Sequence, residues 1–269
     1  MEISFTKLHG AGNDFILIDY KSLENSLPTD FITEICSRNR GIGANGILHI
    51  LESDEPMSYD IIMIYYNSDG SRGEMCGNGL RCASCYAHKH LGLNRKIKIK
   101  TDVGILDTDN LDDNMVKIQI PVIKVFKEIK INNNTVYYGN TGVPHSVIFM
   151  QDIENIDIDK MGKFYRNHDT FMPDGTNVNF LKIEDNFSPE STFCIRTYER
   201  GVEGETSACG TGISAAALCL NRFKNIPPPI KLKTIEGDIL KVDFTDDDCN
   251  NVHLIGPVKE ICNGKYLKR

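Results

Sequence analysis

The chain opens on "MEISFTKLHG", which has no basic leader followed by an apolar stretch, and nowhere does an apolar run approach the length of a membrane span. Neither a signal peptide nor a transmembrane helix is expected, and the cytoplasm is the expected location. An excess of positive charge is also missing. The formal net charge is −7 at pH 7 over 269 residues, which argues against nucleic acid or an acidic membrane surface as the main partner. The alternating "RKIKIK" at 95–100 reads as the solvated face of a strand. Low-complexity sequence is absent apart from a short "INNNT" turn.

Two site signatures are present only in part. "CASCYAHKH" brings Cys82, Cys85, His88 and His90 together, but no second CxxC or HxxxH completes a zinc site, so no metal is expected. On a helix, Cys82 and Cys85 would share a face and pack as small hydrophobes. "GIGANG" at 41–46 matches GxGxxG, yet a helical pattern precedes it and the strand-like "ILHIL" follows. A dinucleotide fingerprint needs strand, loop, then helix, so no nucleotide is expected there. The nine cysteines are an odd number without small-domain spacing, which fits a reducing compartment better than a disulfide framework.

What the chain does have is itself, twice. At an offset of 133 positions "CGNG" (76–79) lies over "CGTG" (209–212), and "IKIKTDVGIL" (97–106) over "IKLKTIEGDI" (230–239). Leu48 and Ile50 fall on Leu181 and Ile183, and Tyr65 on Tyr198, without a gap. Each half carries a β-rich run, 59–67 or 192–200, then a Gly-rich loop, CGxG and an apolar run of helical length. A further β-like run follows each helix. The segments 28–40 and 157–168 read as capped amphipathic helices. The length suits one large or two ordinary domains. The expected halves are 1–120, ending near Pro121, and 121–255, with 256–269 packing on the first and an active site in the cleft between them.

Each CGxG places a cysteine where a helix begins. Helix N-termini carry outward-pointing N–H groups and a positive partial charge, which stabilise a thiolate and lower the pKa of the thiol. The glycines let a ligand approach the backbone, and the exposed amides can bind a carboxylate or a developing oxyanion. The plain alternative is ordinary packing of buried thiols, against which two such corners in one register weigh. Opposed thiols suit removal of a proton from one face of a stereocentre and its return to the other. The sequence therefore points to a cofactor-independent racemase or epimerase. Past the paired strands the halves diverge: Tyr66–Asn67 in the first, Glu199–Arg200 in the second. Arg200 can clamp a distal carboxylate, and Glu199 can contact an ammonium or assist a thiol.

Six motifs, "KLHGAGNDF" (7–15), "RGIGANG" (40–46), "NSDGSRGEMCGNG" (67–79), "TGVPH" (141–145), "GTNVNF" (175–180) and "YERGVEGETSACGTG" (198–212), resemble those of the diaminopimelate epimerase family over essentially the whole chain. The resemblance implies an α/β fold of two pseudo-symmetric duplicated domains, each a curved, mostly antiparallel sheet around a central helix. It implies an isomerase converting LL- to meso-diaminopimelate for lysine and peptidoglycan precursors, without pyridoxal phosphate or any other cofactor, on a small amino-acid substrate and usually as a homodimer. By position, Cys76 and Cys209 match the catalytic thiols, with His145 and Glu199 assisting them. Gly77, Asn78, Gly210 and Thr211 match the amides on the reacting carboxylate. Asn13, Asn67, Asn177, Glu199 and Arg200 match substrate-binding residues. Val143, Asn45 and Gly46 depart from the family pattern. They leave room for a related racemase with another side-chain specificity; a non-catalytic zinc or thiol module is the rival from a different class.

Overall fold

In the computed structural model of the chain, residues 2–21, 27–73, 76–120, 123–183, 187–188, 190–245 and 251–267 are described. Glu74 and Met75 of the first cysteine loop, and the boundary residue Pro121, lie outside them. The chain divides into one unit of Met1–Ile118 with Gly256–Arg269 and a second of Gln119–Ile255.

In the first unit the order is β1 (Glu2–Gly10), β2 (Asn13–Asp19), α1 (Thr29–Cys36), β3 (Gly46–Glu52), β4 (Ile61–Asn67), β5 (Arg72–Gly73), α2 (Gly77–His90), β6 (Lys96–Thr101), β7 (Gly104–Asn110) and β8 (Met115–Ile120). The second unit runs β9 (Ile123–Ile131), β10 (Asn134–Asn140), β11 (Pro144–Met150), α3 (Ile158–Arg166), β12 (Asn177–Lys182), β13 (Thr192–Glu199), β14 (Gly204–Thr206), α4 (Gly210–Lys224), β15 (Ile230–Lys233), β16 (Ile239–Asp243) and β17 (Val252–Pro257). Last comes β18 (Lys259–Leu267), which pairs with β1.

Strand pairing is the same in both units. One reads β18–β1–β2–β3–β4–β6–β7–β8, with β5 also on β4. The other reads β9–β10–β11–β12–β13–β15–β16–β17, with β14 also on β13. All pairs are antiparallel except β2/β3 and β4/β6 in the first unit, and β11/β12 and β13/β15 in the second. Each of these four parallel pairs is spanned by a helix, because a hairpin cannot connect parallel strands. The repeat thus closes around the chain ends: β18 does for the first unit what β9 does for the second.

The four helices divide into two kinds. From Gly77 to Cys85 α2 is buried, and α4 is buried at Gly210 and from Gly212 to Leu220, as expected of helices surrounded by sheet. Their small residues, Ala83, Ala87, Ala215, Ala216 and Ala217, let strands pack close. In contrast, α1 buries one face, Phe31, Ile32, Ile35 and Cys36, against Ile3, Ile16, Ile18 and Ile47. Each large side chain there contributes about 2 kcal/mol. The counterpart α3 buries Ile158 and Tyr165, and passes Tyr198 at Gly162, where a Cβ would lie 2.3 Å from that ring.

Where 157–168 was expected to be capped, Asp157 accepts from the Lys160 amide at 3.0 Å. For 28–40 the finding differs. Pro28 holds the cap position without a side-chain bond, and the helix stops at Cys36, since Ile42 and Gly43 return to donate to the Ile35 carbonyl. The "RKIKIK" strand has Lys96 and Lys98 exposed and Ile97 and Ile99 buried. No helix of the described residues is long and apolar enough to cross a membrane.

Candidate active site

In the first unit Cys76 caps α2 in an extended conformation, and its sulfur accepts from the Gly79 amide at 3.4 Å. Asn13, at the start of β2, brings Nδ2 to 3.9 Å of the same sulfur. Donated hydrogen bonds and a helix N-terminus both favour the thiolate. Gly77 and Asn78 form the first turn behind it, and both are buried. Beneath them lies Arg81, buried completely. Its Nη2 donates to Asn78 Oδ1 at 2.7 Å and its Nη1 to the Gly77 carbonyl at 3.5 Å.

Asn45 and Gly46 serve the frame of this unit. Asp14 receives two bonds from Arg38, at 2.9 and 3.1 Å, a contact from Lys7 at 3.0 Å and the Asn45 amide at 3.0 Å. Burial acts to raise the Asp14 pKa, but Arg38 and Lys7 outweigh it and hold the carboxyl below its usual range. The Asn45 side chain returns the link by accepting from the Asp14 amide. At Gly46 a Cβ would stand 2.3 Å from the Tyr66 carbonyl oxygen, so the strand pair closes only on glycine. Asn67, at the end of β4, accepts from Tyr65 Oη at 2.7 Å and donates to Ser71 Oγ at 3.0 Å.

In the second unit Cys209 caps α4 and is buried, with Sγ 3.3 Å from the Thr211 hydroxyl. Gly210 and Thr211 form the first turn. His145, on β11, does not bond the sulfur directly in any contact described; its Nε2 is 2.9 Å from Thr211 Oγ1. The imidazole is completely buried. Loss of water, followed by the nearby charge of Arg200, pushes its pKa down to about 3, so it is neutral at pH 7.

At the end of β13, burial raises the Glu199 pKa, partly offset by a bond from Thr206 Oγ1 at 2.8 Å. Arg200 donates through Nη1 to the Asp174 carbonyl at 2.9 Å. Asn177 ties this region together: Oδ1 accepts from the Arg200 amide at 2.8 Å, and Nδ2 donates to the Pro144 carbonyl at 3.1 Å. The structure therefore gathers Asn13, Cys76, Gly77 and Asn78 at one corner. At the other it gathers His145, Cys209, Gly210 and Thr211, with Asn177 and Arg200 linked beside the His145 strand.

Two residues at these corners escaped the sequence reading. Arg81 is a charged residue at the start of an apolar run, and the sequence carries no signal of its burial. Asn179 lies within "GTNVNF" and bonds His145; its repeat position holds Gly46, and this mismatch was the signal available. The half-knuckle residues diverge: Cys82 is buried with its pKa well above the ordinary thiol value through desolvation, His88 bonds the Leu93 carbonyl, and His90 bonds Glu260. Among the described residues no group of three or more His, Cys, Asp or Glu side chains is placed to hold a metal.

Each corner can bind a carboxylate on first-turn amides while presenting a sulfur to the neighbouring atom. A family model described as diaminopimelate epimerase matches residues 5–122 and 137–261. The diaminopimelate epimerase of Aquifex aeolicus is 36% identical over 278 residues, covering 98% of this chain and 97% of that protein. That of Hydrogenobaculum sp. is 37% identical over 281 residues, covering 96% of each. Among solved structures, a PhzF-family phenazine biosynthesis protein of Bacillus anthracis superposes with a TM-score of 0.74 at 15% identity, over all of both chains. A hydroxyproline epimerase of Agrobacterium vitis gives 0.67 at 13% identity, over 98% of this chain and 92% of that one. These two likenesses are of fold, and that fold is the duplicated α/β one.

Proposed function

The chain belongs to the diaminopimelate epimerase family, and from that membership we propose that it interconverts LL- and meso-2,6-diaminopimelate by two-thiol proton transfer without a cofactor. The observation that carries the mechanism is the pair of equivalent corners, Cys76 before Gly77–Asn78 and Cys209 before Gly210–Thr211, each capping the central helix of one repeat.

In this reading the two sulfurs serve opposite faces of the α-carbon at one end of the substrate. One cysteine, as thiolate, removes the α-proton from its face. The electron pair moves into the carboxylate as an enediolate, which the first-turn amides of both helices stabilise. The other cysteine, as thiol, delivers its proton to the opposite face, and the configuration inverts. The two sulfurs exchange protonation states in each turnover, so inversion of the opposite hand runs with roles exchanged.

The distal end of the substrate carries a second carboxylate and ammonium. Arg200 offers a guanidinium to that carboxylate, and Glu199 offers a carboxyl to the ammonium; binding the cation would favour the ionised carboxylate. Asn13 presents its amide to the first thiol, Asn67 offers a further amide to the substrate, and Asn177 orients Arg200. We also propose the lysine and peptidoglycan-precursor pathway as its context, with the enzyme acting in the cytoplasm as a homodimer.

The test is incubation of LL-diaminopimelate with the protein in D2O, followed by proton NMR and chiral chromatography. Loss of the α-proton signal with appearance of the meso isomer is expected. No exchange into diaminopimelate, together with exchange into another amino acid of a panel, overturns the substrate and leaves a related racemase.

A further inference from the structure

Behind Cys209 a buried line of side chains fixes the direction of the hydrogen bond between Thr211 and the sulfur. It begins at Asn179 on β12, which is completely buried. Its Nδ2 lies 3.1 Å from the Ser146 carbonyl and 3.2 Å from His145 Nδ1, and its Oδ1 lies 3.0 Å from the Thr197 hydroxyl. A carbonyl can only accept, so the atom beside it must be the amide NH2. That NH2 therefore donates to His145 Nδ1, which must be the unprotonated ring nitrogen. The single proton of the neutral imidazole then sits on Nε2 and is donated to Thr211 Oγ1 at 2.9 Å. With its oxygen accepting from the histidine, the Thr211 hydroxyl turns its own hydrogen to Cys209 Sγ at 3.3 Å.

We propose that the Thr211 hydroxyl, aligned by His145 and Asn179, is a positioning group that donates to Cys209 Sγ and holds that cysteine as the resting thiolate. Thr211 neither gains nor loses a proton in this role. It favours the charged sulfur over the neutral one, as a donated hydrogen bond does. When Cys209 takes the substrate proton, the hydroxyl loses that advantage, which makes the thiol a ready donor for the return step.

The device exists on one side of the repeat. At the offset of 133, Thr211, Asn179 and Thr197 fall on Asn78, Gly46 and Ile64, and by strand register His145 falls on Asn13; with glycine and isoleucine in it, that set cannot form such a line. The first corner uses the Gly79 amide and Asn13 instead. The charged side chains at the end of β13 are Arg200, whose charge adds to burial in keeping His145 neutral, and Glu199, whose carboxyl is hydrogen-bonded by Thr206. The close fit extends to Gly212, where a Cβ would meet Asn179 Oδ1 at 2.3 Å.

The catalytic meaning of this device rests on the two-thiol reading above, but its test uses no substrate. Protein labelled with 13Cβ-cysteine and 15N-histidine is titrated by NMR, with Cys209 assigned as the resonance missing from Cys209→Ser. In Thr211→Val the Cys209 midpoint should rise by about one pH unit, a roughly tenfold loss of thiolate at a given pH, with Cys76 unmoved. Thr211→Ser, which keeps the hydroxyl, should stay within about 0.3 unit of wild type. An unmoved Cys209 midpoint in Thr211→Val, or an equal shift in Thr211→Ser, overturns the proposal. In wild-type protein His145 should show the neutral Nε2–H tautomer at pH 6. Finding Nδ1–H or the imidazolium overturns the proposal even if the valine variant does not fold. A protein that passes these titrations but fails the deuterium test keeps the relay and loses the epimerase reading.

Discussion

The two cysteine corners share a frame and differ in what stands behind them. Arg81 and Ser214 occupy equivalent positions, and each donates to the carbonyl of the residue after its cysteine, Gly77 at 3.5 Å and Gly210 at 2.9 Å. From there the corners separate. The first adds a buried guanidinium bound to Asn78 and leaves Cys76 partly exposed; the second adds a neutral imidazole bound to Thr211 and buries Cys209. Duplication kept the part that needs matched geometry, a sulfur and two amides at a helix start. The supporting side chains diverged, and they give each thiol its own environment.

If both thiols are needed, Cys76→Ala and Cys209→Ala should each lower epimerisation at least about a thousandfold, the scale of losing a general acid or base. Chiral chromatography of the products checks this, and substantial turnover in either variant would show that one corner suffices. A smaller effect tests the frame. Gly46→Ala puts a methyl 2.3 Å from the Tyr66 carbonyl oxygen, and we expect a loss of about 2–3 kcal/mol in urea unfolding. Should the variant be as stable as wild type, strands β3 and β4 have room to separate, and glycine is not needed there.

The buried histidine should leave a mark on stability that the first corner lacks. The His145 pKa is depressed from 6.5 to about 3 in the folded protein. Its contribution is therefore complete above the unfolded value and is lost as pH falls toward the folded one. Between those limits stability should fall by at most about 1.4 kcal/mol per pH unit more than in His145→Gln. Glu199 has a raised pKa and runs the other way, its contribution falling as pH rises through the folded value, so only the difference between the two proteins isolates His145. Parallel pH dependences would mean that the imidazole is accessible to protons in the folded state. The mildest change is Thr206→Val, which removes the bond that lowers the Glu199 pKa. The group should titrate higher by less than about one unit, read from 13C-glutamate NMR; a lower value would reverse the assigned cause.

Much of this frame was legible because it is local. Apolar runs after CGxG marked α2 and α4, and β-rich composition marked β4 and β13. The helix at 28–40 was too long in the sequence reading because its end is set by a return of the chain: Ile42 and Gly43 take the carbonyl of Ile35 that a further turn would have used. Arg81 was opaque for a related reason. Sequence statistics place an arginine at the surface, and only the sheet closing around α2 buries it.

The order of residues along the chain was enough to establish a duplication in register, two cysteines at helix starts, and a family to which both halves belong. It could not disclose which groups stand behind each sulfur. His145, Asn179 and Thr197 lie on three neighbouring strands, and the pairing of Asn179 with Thr197 in one direction and of His145 with Asn177 in the other brings them together. In a sheet every second side chain faces the same side, so a shift of one residue in either pairing would send Asn179 to the opposite face and dissolve the line to Cys209. That register is chosen by the packing of the whole sheet around α4, a property of the folded unit that no short motif contains.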